Sequence, residues 1–221
     1  MLRLLPNSVL LLAQSSLLFL FLSAFAVQAQ DAHSLALKID SHYNHLSTLK
    51  ADFSEHYRGM GMDRTESGTV LMKKPGRMRW SYNAPTGKLF ILDGKFAYSY
   101  TPGDSQAGRT PAKKLDDMRS PLRLLLGHTQ LEKELANLTL TPTPQGFRLT
   151  GQPKYQQQGM QSLELEATSD GVIQSIRIEQ EDGGSTEFHF THMEENIPLR
   201  DSEFAFDPPP GVIVVDALPP M

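Results

Sequence analysis

Two hydrophobic periods divide the chain. Leu35, Ile39, Tyr43 and Leu46 recur at i, i+4, i+8 and i+11, with Leu37 widening the stripe, and this spacing predicts an amphipathic helix from about Asp31. After Leu49 the period drops to two: Ala51, Phe53, Glu55 and Tyr57 alternate with Lys50, Asp52, Ser54 and His56, the pattern of a strand with one wet face. Thr69 to Lys73, Met78 to Tyr82, Leu89 to Leu92 and Phe96 to Tyr100 read as successive strands, with breaks at Lys74-Pro75-Gly76, Ala84-Pro85-Thr86-Gly87 and Asp93-Gly94. Asp-Gly marks a hairpin because the tight turn needs residues that accept positive φ. Leu115 to Leu126 and Leu131 to Leu135 interrupt the strands as short amphipathic helices, with Leu122, Leu125 and Leu126 on one face. Strands resume at Leu138 to Thr141, Phe147 to Thr150, Leu163 to Ala167, Val172 to Glu179 and Glu187 to His192, and the closing run from Phe204 to Val215 contains Pro208-Pro209-Pro210-Gly211. About ten or eleven strands and two or three helices, without linker or repeat, predict a mainly β fold: one antiparallel sheet large enough to curl, with inserted helices as a lid.

Residues 1–29 stand outside this pattern. One charge at Arg3 precedes the runs Leu10 to Leu12 and Leu17 to Leu22, and Val27 and Ala29 offer a small-residue cleavage site, so the segment reads as a cleaved export signal. Gln14, Ser15 and Ser16 interrupt it below the length of about 20 apolar residues that a spanning helix requires. One domain, residues 30–221, remains, and the mature chain is expected to be soluble outside the cytoplasm.

Composition narrows the function classes. The 221 residues carry 21 Lys and Arg against 25 Asp and Glu; loss of residues 1–29 removes only Arg3, leaving 20 against 25 and a charge of −5. This balance disfavours a nucleic-acid partner. The absence of cysteine excludes disulfides, Cys-ligated zinc, iron–sulfur clusters, thiol catalysis and acylated-cysteine anchors.

Catalytic constellations are absent as well. The sequence contains no Gly-x-Ser-x-Gly elbow, no Walker loop, no Gly-x-Gly-x-x-Gly and no His-Glu-x-x-His. His42 with His45, and His189 with His192, lack a nearby third ligand, and Met60-Gly61-Met62 reads as a hairpin tip rather than a copper site. The carboxylate pairs Asp116-Asp117, Glu132 with Glu134, and Glu194-Glu195 fall in polar contexts that suit a solvated surface. No metal, cofactor or catalytic residue is expected. Large apolar side chains instead share strand faces: Met78, Trp80 and Tyr82; Phe96, Tyr98 and Tyr100; Phe53 and Tyr57; Leu163 and Leu165; Ile176 and Ile178; Phe188 and Phe190. They line either a packed core or the wall of an apolar cavity, since about ten curled strands enclose more volume than their own side chains fill; periodicity does not separate the two.

The run Lys73-Lys74-Pro75-Gly76-Arg77-Met78-Arg79-Trp80-Ser81-Tyr82, with Pro85, Asp93-Gly94-Lys95 and Tyr98 to Pro102, resembles the signature hairpins of the LolA family of periplasmic lipoprotein carriers. Phe204-Ala205-Phe206-Asp207-Pro208-Pro209-Pro210-Gly211-Val212 resembles that family's ending, and Pro121 to Leu126 its lid helix. The resemblance implies an incomplete, half-open antiparallel β-barrel closed by two or three helices over an apolar cavity for lipoprotein acyl chains. The carrier would receive its cargo from an inner-membrane lipoprotein-releasing ABC transporter (LolCDE-like) and deliver it to an outer-membrane receptor (LolB-like) in a Gram-negative periplasm. That receptor is itself anchored through an N-terminal cysteine, which this chain lacks, so the resemblance is to the shuttle, expected as a monomer that presents its mouth to two partners in turn.

On this reading Phe53, Met78, Trp80, Tyr82, Phe90, Tyr98 and Leu165 line the cavity, and Leu122, Leu125 and Leu126 belong to the lid. Two positions depart from the family. Lys74 stands where the family has the arginine held to lock the lid, and without a planar fork it is expected to bond lid or C-terminal backbone carbonyls. Met78 replaces a phenylalanine at the cavity mouth, a flexible side chain that still suits an acyl path. These departures leave a carrier of another amphiphile, such as a glycolipid, as an alternative, beside a lipid-sensing module that transports nothing.

Overall fold

The computed structural model describes residues 31–115, 125–126, 130–154 and 159–217. Helix α1 (Ala32–His45) begins where the pattern places it, because the Asp31 side chain accepts the Ser34 N–H at 2.6 Å and satisfies one of the orphan donors of the first turn. Leu35, Ala36, Ile39 and Tyr43 are buried, whereas Leu37 is half exposed and lies off the buried face.

Twelve strands follow. They are β1 (Thr48–Gly59), β2 (Met62–Lys73), β3 (Arg77–Ala84), β4 (Thr86–Asp93), β5 (Phe96–Tyr100), β6 (Gln106–Pro111), β7 (Leu135–Thr143), β8 (Gly146–Pro153), β9 (Met160–Ala167), β10 (Ile173–Gln180), β11 (Ser185–Glu195) and β12 (Ile213–Asp216). They form one sheet in the order β12-β6-β5-β4-β3-β2-β1-β11-β10-β9-β8-β7, so β12 and β7 are its two edges and the sheet is open. All pairs are antiparallel except β12 with β6. Two strands exceed the sequence expectation. β6 (Gln106–Pro111) contains Gly108 and Pro111 and no apolar alternation, so it carries no local strand signal, whereas β12 is β-prone through Ile213, Val214 and Val215 but pairs in parallel after a proline-rich connection.

The expected helix from Leu115 to Leu126 lies mostly outside the described residues. Besides α1 the described residues hold a single helical turn, α2 (Leu131–Glu134), and two 3₁₀ turns at Ala112–Leu115 and Asp201–Phe204. Of the expected lid, Leu122 lies outside the described residues, and Leu125 is buried against the sheet with Leu126 packed beside it. Among the described residues no helix is long and apolar enough to cross a membrane.

Register assigns each strand two faces. On the inner face, the one that bears α1, a single apolar cluster runs from Leu35, Ile39 and Tyr43 of the helix through Leu49, Met72 and Trp80 to Leu165, Ile176 and Phe190. Gly171, in the β9–β10 turn at φ +90°, lets α1 approach this closely: a Cβ there would lie 2.6 Å from the Lys38 carbonyl carbon. The outer face has its own apolar patch over β4 and β5. Ile91 and Phe204 are buried there, and Phe206 stacks on Tyr98 with centroids 5.0 Å apart. Cations on the same face hold the C-terminal segment: Lys73 donates to the Leu199 carbonyl at 2.6 Å and pairs with Asp201 at 2.7 Å.

Candidate functional site

The inner face is built from alternate residues of neighbouring strands. Phe53 is opposite Phe190, Trp80 is opposite both Val70 and Phe90, and Leu165 is opposite Leu149 and Ile176. The rings pack edge to face: Phe53 on Trp80 at 4.6 Å, Phe53 on Tyr82 at 5.0 Å and Trp80 on Phe188 at 5.4 Å. The Trp80 indole N–H reaches the Met78 sulfur at 2.9 Å, which gives that buried donor a partner. Phe53, Met78, Trp80 and Leu165 are buried, Tyr82 and Phe90 partly so, and all six belong to one apolar surface.

Tyr98 does not join them. Ala97 is opposite Leu92 and Ser99 opposite Phe90, so these two small side chains face inward on β5. Phe96 and Tyr98 therefore face outward, where Tyr98 stacks on Phe206. The three β5 aromatics do share a face, as their alternation predicts, but it is the opposite one. A one-residue choice of parity moves a whole set across the sheet. Phe188 and Phe190 join the wall beside the expected residues; their alternation in β11 is visible in the sequence, whereas their position opposite Glu55 and Phe53 is not.

Lys74 also differs from expectation. Its ammonium donates to the carbonyl of Tyr43, in the last turn of α1, rather than to lid or C-terminal backbone. That carbonyl is one of the four a helix end leaves unpaired, and a cation there also opposes the negative end of the helix dipole. Burial pushes the Lys74 amine below its ordinary value. The helix it caps leads to the lid segment, because the Asp40 carboxylate of α1 accepts the Leu131 N–H at 3.0 Å and His33 meets Glu132 at 2.7 Å. Lys74 is thus tied to the end of the inserted segment through α1.

At one end the inner face turns polar. Tyr82 donates its hydroxyl to Glu55 at 2.9 Å, and Lys88 pairs with Glu66. Burial is the main cause that raises the Glu55 carboxyl above its ordinary 4.5, opposed by the Tyr82 hydrogen bond and by Lys88. The Tyr82 phenol is pushed far upward by burial and by Glu55, so it stays a donor at any physiological pH. Two open recesses among the described residues lie elsewhere. One, of about 520 Å³, includes Asn137, Thr150, Gln161 and Glu179; the other, of about 390 Å³, includes Asp104, Ser105 and Gln106. The apolar interior is occupied by its own rings and by Leu125.

Residues 44–207 match the family described as LolA, outer membrane lipoprotein carrier protein. A protein of Nitrosospira multiformis named outer-membrane lipoprotein carrier protein is 27% identical over 209 residues, covering 92% of this chain and 98% of its own. A protein of the same name from Cupriavidus necator is 29% identical, covering 88% and 93%. In structure, an uncharacterized conserved protein from Thermus thermophilus superposes with a TM-score of 0.53 at 13% identity over 84% of this chain and 99% of its own, which shows a shared fold.

Proposed function

The chain belongs to the LolA family of outer membrane lipoprotein carrier proteins, and from that premise we propose that its mature form takes lipoproteins released from the inner membrane, covers their acyl chains with the inner face of the sheet, and hands them to an outer-membrane receptor. The observation that carries the reading is the continuous apolar inner face through Phe53, Met78, Trp80, Leu165 and Phe188, with Leu125 of the inserted segment lying on it. Each methylene removed from water contributes about 0.8 kcal/mol, so an acyl chain needs such a surface to travel between membranes. In the empty form that surface must not face water. Leu125 and the interlocked rings cover it, and an entering chain exchanges one set of apolar contacts for another. Because apolar burial has no directional geometry, the exchange is nearly even in free energy and reverses without a covalent step. No catalytic residue is needed. On this reading residues 1–29 direct export and are removed, the site of action is the periplasm, the donor is a LolCDE-like ABC transporter, the acceptor is a LolB-like receptor, and the carrier is a monomer.

A release assay tests the proposal: the purified mature chain is incubated with spheroplasts bearing a newly made outer-membrane lipoprotein. A soluble complex of carrier and lipoprotein is expected. If the lipoprotein stays in the membrane while an established carrier releases it, the lipoprotein reading fails, and mass spectrometry of copurified lipid identifies another amphiphile.

A further inference from the structure

At the end where Tyr82 lies the inner wall carries a cluster of charged side chains, and burying it is costly. Glu66 of β2 is charged yet only 5% exposed. Lys88 of β4 pairs with one of its oxygens, and Arg64 reaches the other at 3.4 Å. Glu55 is directly opposite Glu66 across the β1–β2 ladder and holds the Tyr82 hydroxyl, while the Lys88 ammonium lies 4.2 Å from the centroid of the Tyr82 ring. Tyr82 also packs edge to face on Phe53, so these polar groups adjoin the aromatic wall directly.

Burying an ion pair incurs a desolvation cost that apolar residues of the same volume avoid, so fold stability gives no reason for this cluster. Ligand chemistry does. Chains laid along Phe53, Trp80 and Phe188 end in ester carbonyls, and those oxygens must find donors once they leave water. An ammonium has three N–H groups and a guanidinium five, so Lys88 and Arg64 have capacity beyond Glu66. Two carboxylates balance the two cations. A phosphate would add a negative charge beside Glu55 and Glu66, whereas an uncharged ester would not.

We propose that Arg64, Tyr82 and Lys88, with Glu55 and Glu66 balancing the two cations, form an electrically balanced cradle for the ester carbonyls at the glycerol end of acyl chains, and that it selects uncharged diacylglyceryl ligands over anionic phospholipids. The proposal rests on the carrier reading. It is tested on the purified mature chain with three probes: a diacylglyceryl-cysteinyl peptide, the dialkyl ether analogue of equal chain length, and phosphatidylglycerol. Emission of Trp80, the single tryptophan of the chain, reports occupancy of the wall. The parent is expected to bind the diester about tenfold more tightly than the diether, the scale of one well-made hydrogen bond. Lys88→Met abolishes that preference by lowering diester affinity more than diether affinity, and Glu66→Gln, with its surplus positive charge, increases phosphatidylglycerol binding. Since Lys88→Met leaves the buried Glu66 with Arg64 alone, the double variant Glu66→Gln with Lys88→Met must also lose the preference. Equal affinity of the parent for diester and diether, or equal weakening of both by the variants, overturns the cradle and leaves the carrier reading intact. A parent chain that binds none of the probes overturns both.

Discussion

Glu55 shows how one buried carboxyl makes stability depend on pH. Burial raises it above its ordinary 4.5, more than the Tyr82 hydrogen bond and the Lys88 charge lower it. The folded chain therefore keeps this proton to a higher pH than the unfolded chain does. Its contribution is greatest below about 4.5 and falls as pH rises from there through the raised folded value. Gln at this position keeps an acceptor for the Tyr82 hydroxyl and carries no charge. Glu55→Gln is expected to melt higher than the parent near neutrality, with the difference shrinking toward pH 4; parallel melting curves across that range would show that the carboxyl is not raised. In sequence the same residue alternates in phase with Ala51, Phe53 and Tyr57, a carboxyl on the expected dry face of the strand. Its burial depends on Glu66, Tyr82 and Lys88 arriving from three other strands.

Helix α1 is fastened at both ends and along its length. Asp31 caps its start, Lys38 donates to the Ser169 carbonyl at 2.8 Å, Tyr43 accepts the Ile173 N–H at 3.1 Å, and Lys74 caps its end. Removing the last of these should loosen only the final turn. Lys74→Met is expected to cost about 1.5 kcal/mol, the lower end for a hydrogen bond to a charged group because the site is partly solvated. Amide exchange should accelerate at Leu46, whose N–H bonds the His42 carbonyl, and leave the first turn unchanged. Lys74→Arg should restore protection; acceleration spread evenly over the helix would place the role of Lys74 elsewhere. The helix itself could be read from its stripe, although Leu37, placed on that stripe, is exposed, and the identity of the group that caps the helix could not be read. Lys74 is separated from Tyr43 by the whole β1–β2 hairpin, and only tertiary pairing brings them together.

For the whole molecule, the carrier reading makes stability depend on cargo. A ligand that binds only the folded chain stabilises it by RT ln(1 + [L]/Kd), about 2.7 kcal/mol at a hundredfold excess over Kd. For a domain of this size that corresponds to a melting shift of about 5–10 °C. Calorimetry with a diacylated peptide should show the shift, and Trp80→Ala, which breaks the ring cluster, should reduce it; an unchanged midpoint with bound peptide would mean that the ligand sits off the fold. The sequence by itself determined the helix, most strands, the hairpin turns at Asp93-Gly94 and Met60-Gly61, and the family resemblance, because these depend on periods and turn chemistry within a few residues of chain. Only the tertiary structure decided which face each aromatic set took. Tyr98 and Phe90 occupy neighbouring strands with similar patterns, yet cross-strand register sends Phe90 inward and Tyr98 onto Phe206. It likewise decided that β6 and β12 pair, that Lys74 holds α1, and that four strands gather a balanced set of charges beside Phe53. The physical reason is common to all of these. Register and strand pairing are set by the sum of long-range contacts over the sheet, and no local window of sequence contains that sum.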